Sequence, residues 1–159
     1  TSGHELLLEL IPPASADKLG DDAAVLRAVK RFYNLGLKPE WWKLAPMAAA
    51  SWQALAALIA ERDAHCRGVV LLGLSAPIEE LARGFADAAG SVHCRGFAVG
   101  RTIFHDPARA WLLGALDDAG LVSAVRRNFE TLIDAWKETR SKGDGQTQCC
   151  GDAARRART

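Results

Sequence analysis

A lysine set between two tryptophans and a leucine, Trp41-Trp42-Lys43-Leu44, is the arrangement in this sequence best suited to covalent chemistry. Large apolar neighbours strip water from an ammonium group, and a desolvated lysine shifts toward the neutral amine that attacks a carbonyl carbon. Attack gives a carbinolamine and then an imine, an electron sink for breaking a carbon–carbon bond. Glu9 has the complementary chemistry. It stands in a mostly apolar run, Glu5-Leu-Leu-Leu-Glu-Leu-Ile11, where a carboxylate is costly unless paired or used. It could move the protons of carbinolamine formation and dehydration, or it could hold Lys43 in an ion pair. Lys43 has the same two readings, nucleophile or structural cation, and spacing alone leaves both open.

A second group has anion-binding character. Gly73 and Ser75 close one apolar run, and Gly100 and Arg101 close another. Backbone amides in such loops and at helix starts point at anions, and a guanidinium at Arg101 offers two parallel donors to a phosphate. Tight backbone packing is the alternative reason for glycine at 73 and 100.

The elements that must position these residues follow from periodicity. Residues 5–11 form a strand of the kind buried on both faces, stopped by Pro12-Pro13. Apolar residues at Leu19, Ala23, Leu26, Val29 and Tyr33 mark an amphipathic helix over 16–35, with Gly36 as its cap. The pattern repeats as a strand over 40–44 and a helix over 47–62. It repeats again as a strand over 68–74 and a helix from Pro77 to about Gly90. A fourth strand covers 96–100, a short helix capped by Asp106 with Pro107 in its first turn runs to Leu116, and an amphipathic helix spans about 121–142. Residues 143–159 hold almost no apolar side chain and are expected to be disordered. The expected organisation is thus one domain over 1–142 and a tail over 143–159.

Strand and helix alternating four times predict an α/β fold with four parallel strands and flanking helices. In such folds chemistry gathers at the carboxyl ends of strands. Glu9, Lys43, Ser75 and Arg101 fall one at each of those ends. Periodicity does not separate a barrel segment from an open doubly wound sheet, and no Gly-x-Gly-x-x-Gly follows the first strand to favour a dinucleotide.

Composition sets outer limits. With 159 residues, 49% hydrophobic and 25% charged, the chain suits one globular domain, and a net charge of +1 gives no field to gather nucleic acid. Its apolar runs fall short of the roughly 20 residues that span a bilayer, so no membrane partner is expected. Cys66, Cys94 and Cys149-Cys150 lack zinc or disulfide spacing, which fits a reducing, cytoplasmic setting. Trp52, Trp111 and Trp136 are expected in packing, and His65, His93 and His105 at the surface or in caps.

Three segments carry a specific likeness: Lys38-Pro-Glu-Trp-Trp-Lys-Leu-Ala-Pro46, Arg67-Gly-Val-Val-Leu-Leu-Gly-Leu-Ser-Ala-Pro77 and Arg95-Gly-Phe-Ala-Val-Gly-Arg-Thr-Ile-Phe104. Over residues 4–140 the chain resembles the aldolase-like domain fused behind 5-dehydro-2-deoxygluconokinase in bacterial inositol catabolism. That domain is in turn similar to class I tagatose-1,6-bisphosphate aldolases. The resemblance implies the C-terminal half of a (β/α)₈ TIM barrel, strands five to eight, and a carbon–carbon lyase incomplete within this sequence. It places the Schiff-base lysine at Lys43 and the strand-five glutamate at Glu9. It places substrate phosphate at Ser75 and Ala76, beside Gly73, and at Gly100 and Arg101.

The implied substrate is a phosphorylated keto-sugar acid such as 6-phospho-5-dehydro-2-deoxygluconate, cleaved to dihydroxyacetone phosphate and malonate semialdehyde without metal or organic cofactor. The sequence departs from the family in two ways: Ala45 stands where the family carries glutamate, and the family's early-strand aspartate and second lysine have no counterpart. A non-catalytic phosphosugar-binding module or truncated remnant is the alternative expectation. Four strands would also leave open edges and a bare inner face, so self-association, or docking of a complementary N-terminal half barrel, is expected.

Overall fold

The computed structural model describes residues 3–11 and 22–156, with side chains through residue 141. One sheet holds β1 (Leu7–Glu9), β2 (Trp41–Leu44), β3 (Gly68–Leu72) and β4 (Cys94–Ala98), all parallel and in the order β1-β2-β3-β4. The helices are α1 (Asp22–Asn34), α2 (Ala49–Arg62), α3 (Ile78–Ala88), α4 (Arg101–Leu112) and α5 (Asp118–Arg156).

Strict sequence order resolves the alternative that periodicity leaves open. A doubly wound sheet reverses its strand order partway and carries helices on both faces, whereas unreversed order with crossovers of one hand keeps every helix on one face. Burial agrees. Trp42, Leu44, Val69, Leu71 and Cys94 are buried against Val25, Val29, Leu55, Ile59, Leu81 and Phe85 from the helices. Of the residues that alternate with them, Leu7, Trp41, Lys43, Val70, Gly96 and Ala98 remain partly or fully exposed, whereas Gly68 and Leu72 are buried. The chain is an α/β half barrel.

Aromatic side chains fill the layer between sheet and helices. Phe85 stacks on Phe97 at 5.1 Å between ring centroids and meets Trp136 edge-on at 5.4 Å. Tyr33 packs edge-on against Trp42 at 5.6 Å, and the Trp42 indole N–H donates to its hydroxyl at 2.9 Å. Arg140 of α5 lies over the Trp136 ring at 4.5 Å and donates to the carbonyls of Ala89 and Cys94, which fastens α5 across α3 and β4.

Several expectations need correction. β1 is three residues long and buried on neither face: Leu8 packs only partly against the core, and Leu7 and Glu9 are exposed, as suits a strand that among the described residues lies at the sheet edge. α4 begins at Arg101, directly after Gly100, so Asp106 is not its cap and Pro107 lies inside it. An internal proline removes the N–H that would bond the carbonyl four residues back. That carbonyl is Ile103 O, and Asn128 of α5 supplies the missing donor through its side-chain amide at 2.9 Å. Trp111 is not packed in the core. It lies exposed at the end of α4, where its indole N–H donates to Asp118 at 2.8 Å and ties α4 to the start of α5.

The backbone of α5 continues to Arg156, through the segment expected to be disordered, while residues 157–159 and the Cys149 and Cys150 side chains lie outside the described residues. The first turns of the helix expected over 16–35 also fall partly outside them. Among the described residues no helix is long and apolar enough to cross a membrane.

Burial pushes the Tyr33 hydroxyl up to about 12, against the lowering effect of its bond from Trp42. A folded-state value above the unfolded one means stability is complete below pH ~10 and is lost as pH rises toward 12. Tyr33 is the sole tyrosine. Urea midpoints measured from pH 8 to 12 are expected to fall over that window. In Tyr33→Phe the tyrosine part of that fall disappears, from a plateau lowered by about 1–3 kcal/mol because the Trp42 N–H loses its partner.

Candidate functional site

Parallel pairing sets Glu9 level with Lys43, and Lys43 level with Val70. Partners at one level share a face, so the Glu9 and Lys43 side chains meet on the inner side, where Nζ lies 3.3 Å from Oε2. The side chains are 22% and 40% exposed respectively. The drying expected of Lys43 is therefore incomplete, and strand alternation explains why. Trp42 and Leu44 turn toward the helices, and only Trp41 shares the lysine's face.

The cavity beyond this pair has a volume of about 210 Å³ and is lined by Glu9, Lys43, Gly73, Ser75, Gly100, Arg101 and Thr102, among others. Six of the seven residues singled out from sequence thus share one concavity. The seventh, Ala76, lines an adjoining cavity of about 640 Å³ with Ser75, Arg101, Thr102 and His105. Arg101 stands between the two spaces and reaches both.

The loop after β3 makes the wall. Gly73 to Ala76 is a tight turn in which the Ala76 N–H donates to Gly73 O at 2.7 Å. Leu74 and Ser75 both take left-handed backbone conformations, with φ of 46° and 67°. Left-handed backbone at two successive non-glycine residues costs on the order of 1–3 kcal/mol each and persists only where surroundings enforce it. Here Thr102 enforces it. Its hydroxyl donates to Ala76 O at 2.8 Å and ties the loop to the first turn of α4.

The anion-donor set differs from expectation in one respect. The Ala76 N–H is used inside the turn and Pro77 has none, so the donors that remain for a ligand are the earlier loop amides and the first amides of α4. Thr102 and the strained Leu74 are features of the candidate site that sequence reasoning did not reach. Thr102 was within reach as a hydroxyl beside Arg101, whereas a positive φ at leucine leaves no trace in residue type.

The remaining reactive groups stay apart from this cavity. Burial raises the Cys66 thiol and pushes Cys94 up to about 11, so neither is a ready thiolate. Both are free. Burial first, and Arg95 second, hold His93 below the usual imidazole range. His105 is exposed and lies 3.0 Å from Asp106 through Nδ1. Among the described residues no cluster of His, Cys, Asp and Glu could hold a metal ion.

The match to one family, described as an uncharacterized protein conserved in bacteria (DUF2090), covers residues 1–140. The chain belongs to DUF2090. No curated protein matches it. All four strands, the Lys43–Glu9 pair and the Gly73–Thr102 wall lie within the part that is DUF2090.

Gly73 is where this DUF2090 site is least tolerant. A Cβ there would sit 2.8 Å from Val99 Cγ1 and 3.4 Å from the Thr102 hydroxyl. Gly73→Ala is expected to push α4 off the loop, lowering stability by about 1–3 kcal/mol in urea unfolding. Gly90→Ala, where nothing lies within 4 Å and the backbone is not left-handed, is the control expected to leave stability in urea within about 1 kcal/mol of the parent's.

Proposed function

We propose that this half barrel carries a class I, Schiff-base aldolase site for a phosphorylated keto-sugar acid of the 6-phospho-5-dehydro-2-deoxygluconate kind. The observation that carries the reading is the grouping of an amine, a carboxylate and a guanidinium around one cavity of about 210 Å³ at the carboxyl ends of four parallel strands. Among the described residues two helices follow β4 where each earlier strand has one. A loop after the penultimate strand, joined to an extra helix after the last, is a common phosphate site of barrel enzymes.

In this reading Glu9 takes a proton from the Lys43 ammonium across their 3.3 Å contact and frees the amine. Nζ attacks the substrate carbonyl carbon. The Glu9 carboxyl returns a proton to the carbinolamine oxygen, and water leaves. The iminium then accepts the electron pair of the carbon–carbon bond and becomes an enamine, while the hydroxyl on the departing carbon gives its proton to the Glu9 carboxylate and becomes an aldehyde. That proton then returns to the enamine carbon, and water hydrolyses the new iminium to release the ketone and free the amine. Arg101 and the amides at the start of α4 hold the phosphate, which fixes the carbonyl against the amine.

One reading of a different kind has its own support. Ala45 places no carboxylate after the lysine, and Lys43 is already ion-paired, which suits a non-catalytic phosphosugar-binding module.

Borohydride separates the two. Incubated with dihydroxyacetone phosphate and sodium borohydride, the chain is expected to gain one reduced adduct, mapped by peptide mass to Lys43. Lys43→Met gains none, and Glu9→Gln forms it about 10²-fold more slowly or worse. Tight binding of the same phosphosugar with no adduct selects the binding module, and an adduct on another lysine removes the aldolase reading.

A further inference from the structure

Two sets of backbone donors border the smaller cavity, and one side chain ties them together. In the loop after β3 the turn is closed by the Ala76 N–H, and the Leu74 and Ser75 amides make no backbone hydrogen bond. In α4 the carbonyl of Gly100 accepts from Ile103 and Phe104, which leaves the Arg101 and Thr102 amides without a helical partner. All four of these residues line the cavity.

Thr102 belongs to both sets. Its amide is one of the helix donors, while its hydroxyl donates to Ala76 O at 2.8 Å, 26 residues away in sequence. Among the described residues no other hydrogen bond joins loop 73–77 to α4. The turn would not keep its shape by preference. Positive φ at both central residues, with a bond from the fourth residue to the first, is the mirror image of the ordinary type I turn, a class dominated by glycine and asparagine. Leucine and serine occupy it here, at 46° and 67°. Leu74 is 38% exposed, so packing of its side chain gives the turn little support. Without the bond from Thr102, the turn relaxes toward negative φ and its two amides reorient.

We propose that Thr102 is a positioning residue, whose hydroxyl holds the Leu74–Ser75 turn so that the loop amides and the first amides of α4 converge, with Arg101, on one phosphate group. This rests on the phosphate reading of the cavity given above, and it is independent of imine formation at Lys43. Thr102 acts on affinity for the phosphorylated end of the ligand, through the backbone it holds.

Thr102→Val keeps the branched shape and removes the donor. In calorimetric titration it is expected to bind dihydroxyacetone phosphate about tenfold more weakly than the parent, with Thr102→Ser within about threefold of the parent. In borohydride trapping, the ratio of adduct formation with dihydroxyacetone phosphate to that with dihydroxyacetone falls by the same factor. A general loosening of the fold would lower both and leave the ratio unchanged. Leu74→Gly lets the turn keep its left-handed backbone without strain, so adding Thr102→Val to it is expected to cost less than about threefold. A hydroxyl that itself touched the phosphate would cost the full factor in either background. The proposal is overturned by a parent that binds no dihydroxyacetone phosphate, by a Thr102→Val protein that binds it as the parent does, by a Thr102→Ser protein as weak as Thr102→Val, or by the full loss in the Leu74→Gly background. A parent that forms no Lys43 adduct, yet shows the tenfold difference in titration, loses the aldolase reading and keeps this one.

Discussion

Parallel pairing in unbroken sequence order is the constraint from which the rest of this chain follows. Each strand must return to the same end of the sheet before it pairs, so each needs a helical crossover, and same-handed crossovers place all helices on one side. The two faces of every strand then live in different worlds. Trp42, Leu44, Val69 and Leu71 supply the core, while Glu9, Trp41 and Lys43 look the other way. The same pairing brings the carboxyl ends together, so polar residues as far apart in sequence as Glu9 and Thr102 line one small space.

Within that space, charge and backbone strain have separate roles. The Lys43–Glu9 pair rests on rigid, register-fixed strands, so its geometry needs no loop to be ordered. The wall opposite is a loop in an unfavourable conformation, held by one hydroxyl and by a glycine pressed on Val99. Strain of this kind lowers the cost of a small rearrangement when a ligand arrives, because the free loop gains little by relaxing elsewhere while Thr102 holds it.

Much of the architecture was legible because it is written in runs. Gly68-Val-Val-Leu-Leu72 reads as a buried strand, and glycine or proline marks the edges of α1 and α3. The strand-end positions of Glu9, Lys43, Ser75 and Arg101 followed from those runs alone. What failed depended on the third dimension. Trp42 and Leu44 flank Lys43 in sequence yet turn away from it, so neighbours along a strand say little about hydration. The apolar run around β1 looks buried, but an edge strand is only as buried as whatever stands beside it. Pro107 reads as a first-turn residue, because local sequence does not record that a side chain on α5 reaches the carbonyl it leaves bare.

That last contact constrains how this chain can change over generations. With Pro107 in place, Asn128 gives Ile103 O a side-chain donor where the helix lacks its own, and its loss removes that donor at a part-buried position. If Pro107 is exchanged first for a residue bearing an N–H, the helix serves its own carbonyl and Asn128 becomes dispensable. The two positions can therefore drift apart by one route and not by the other, a ratchet made from a single oxygen atom.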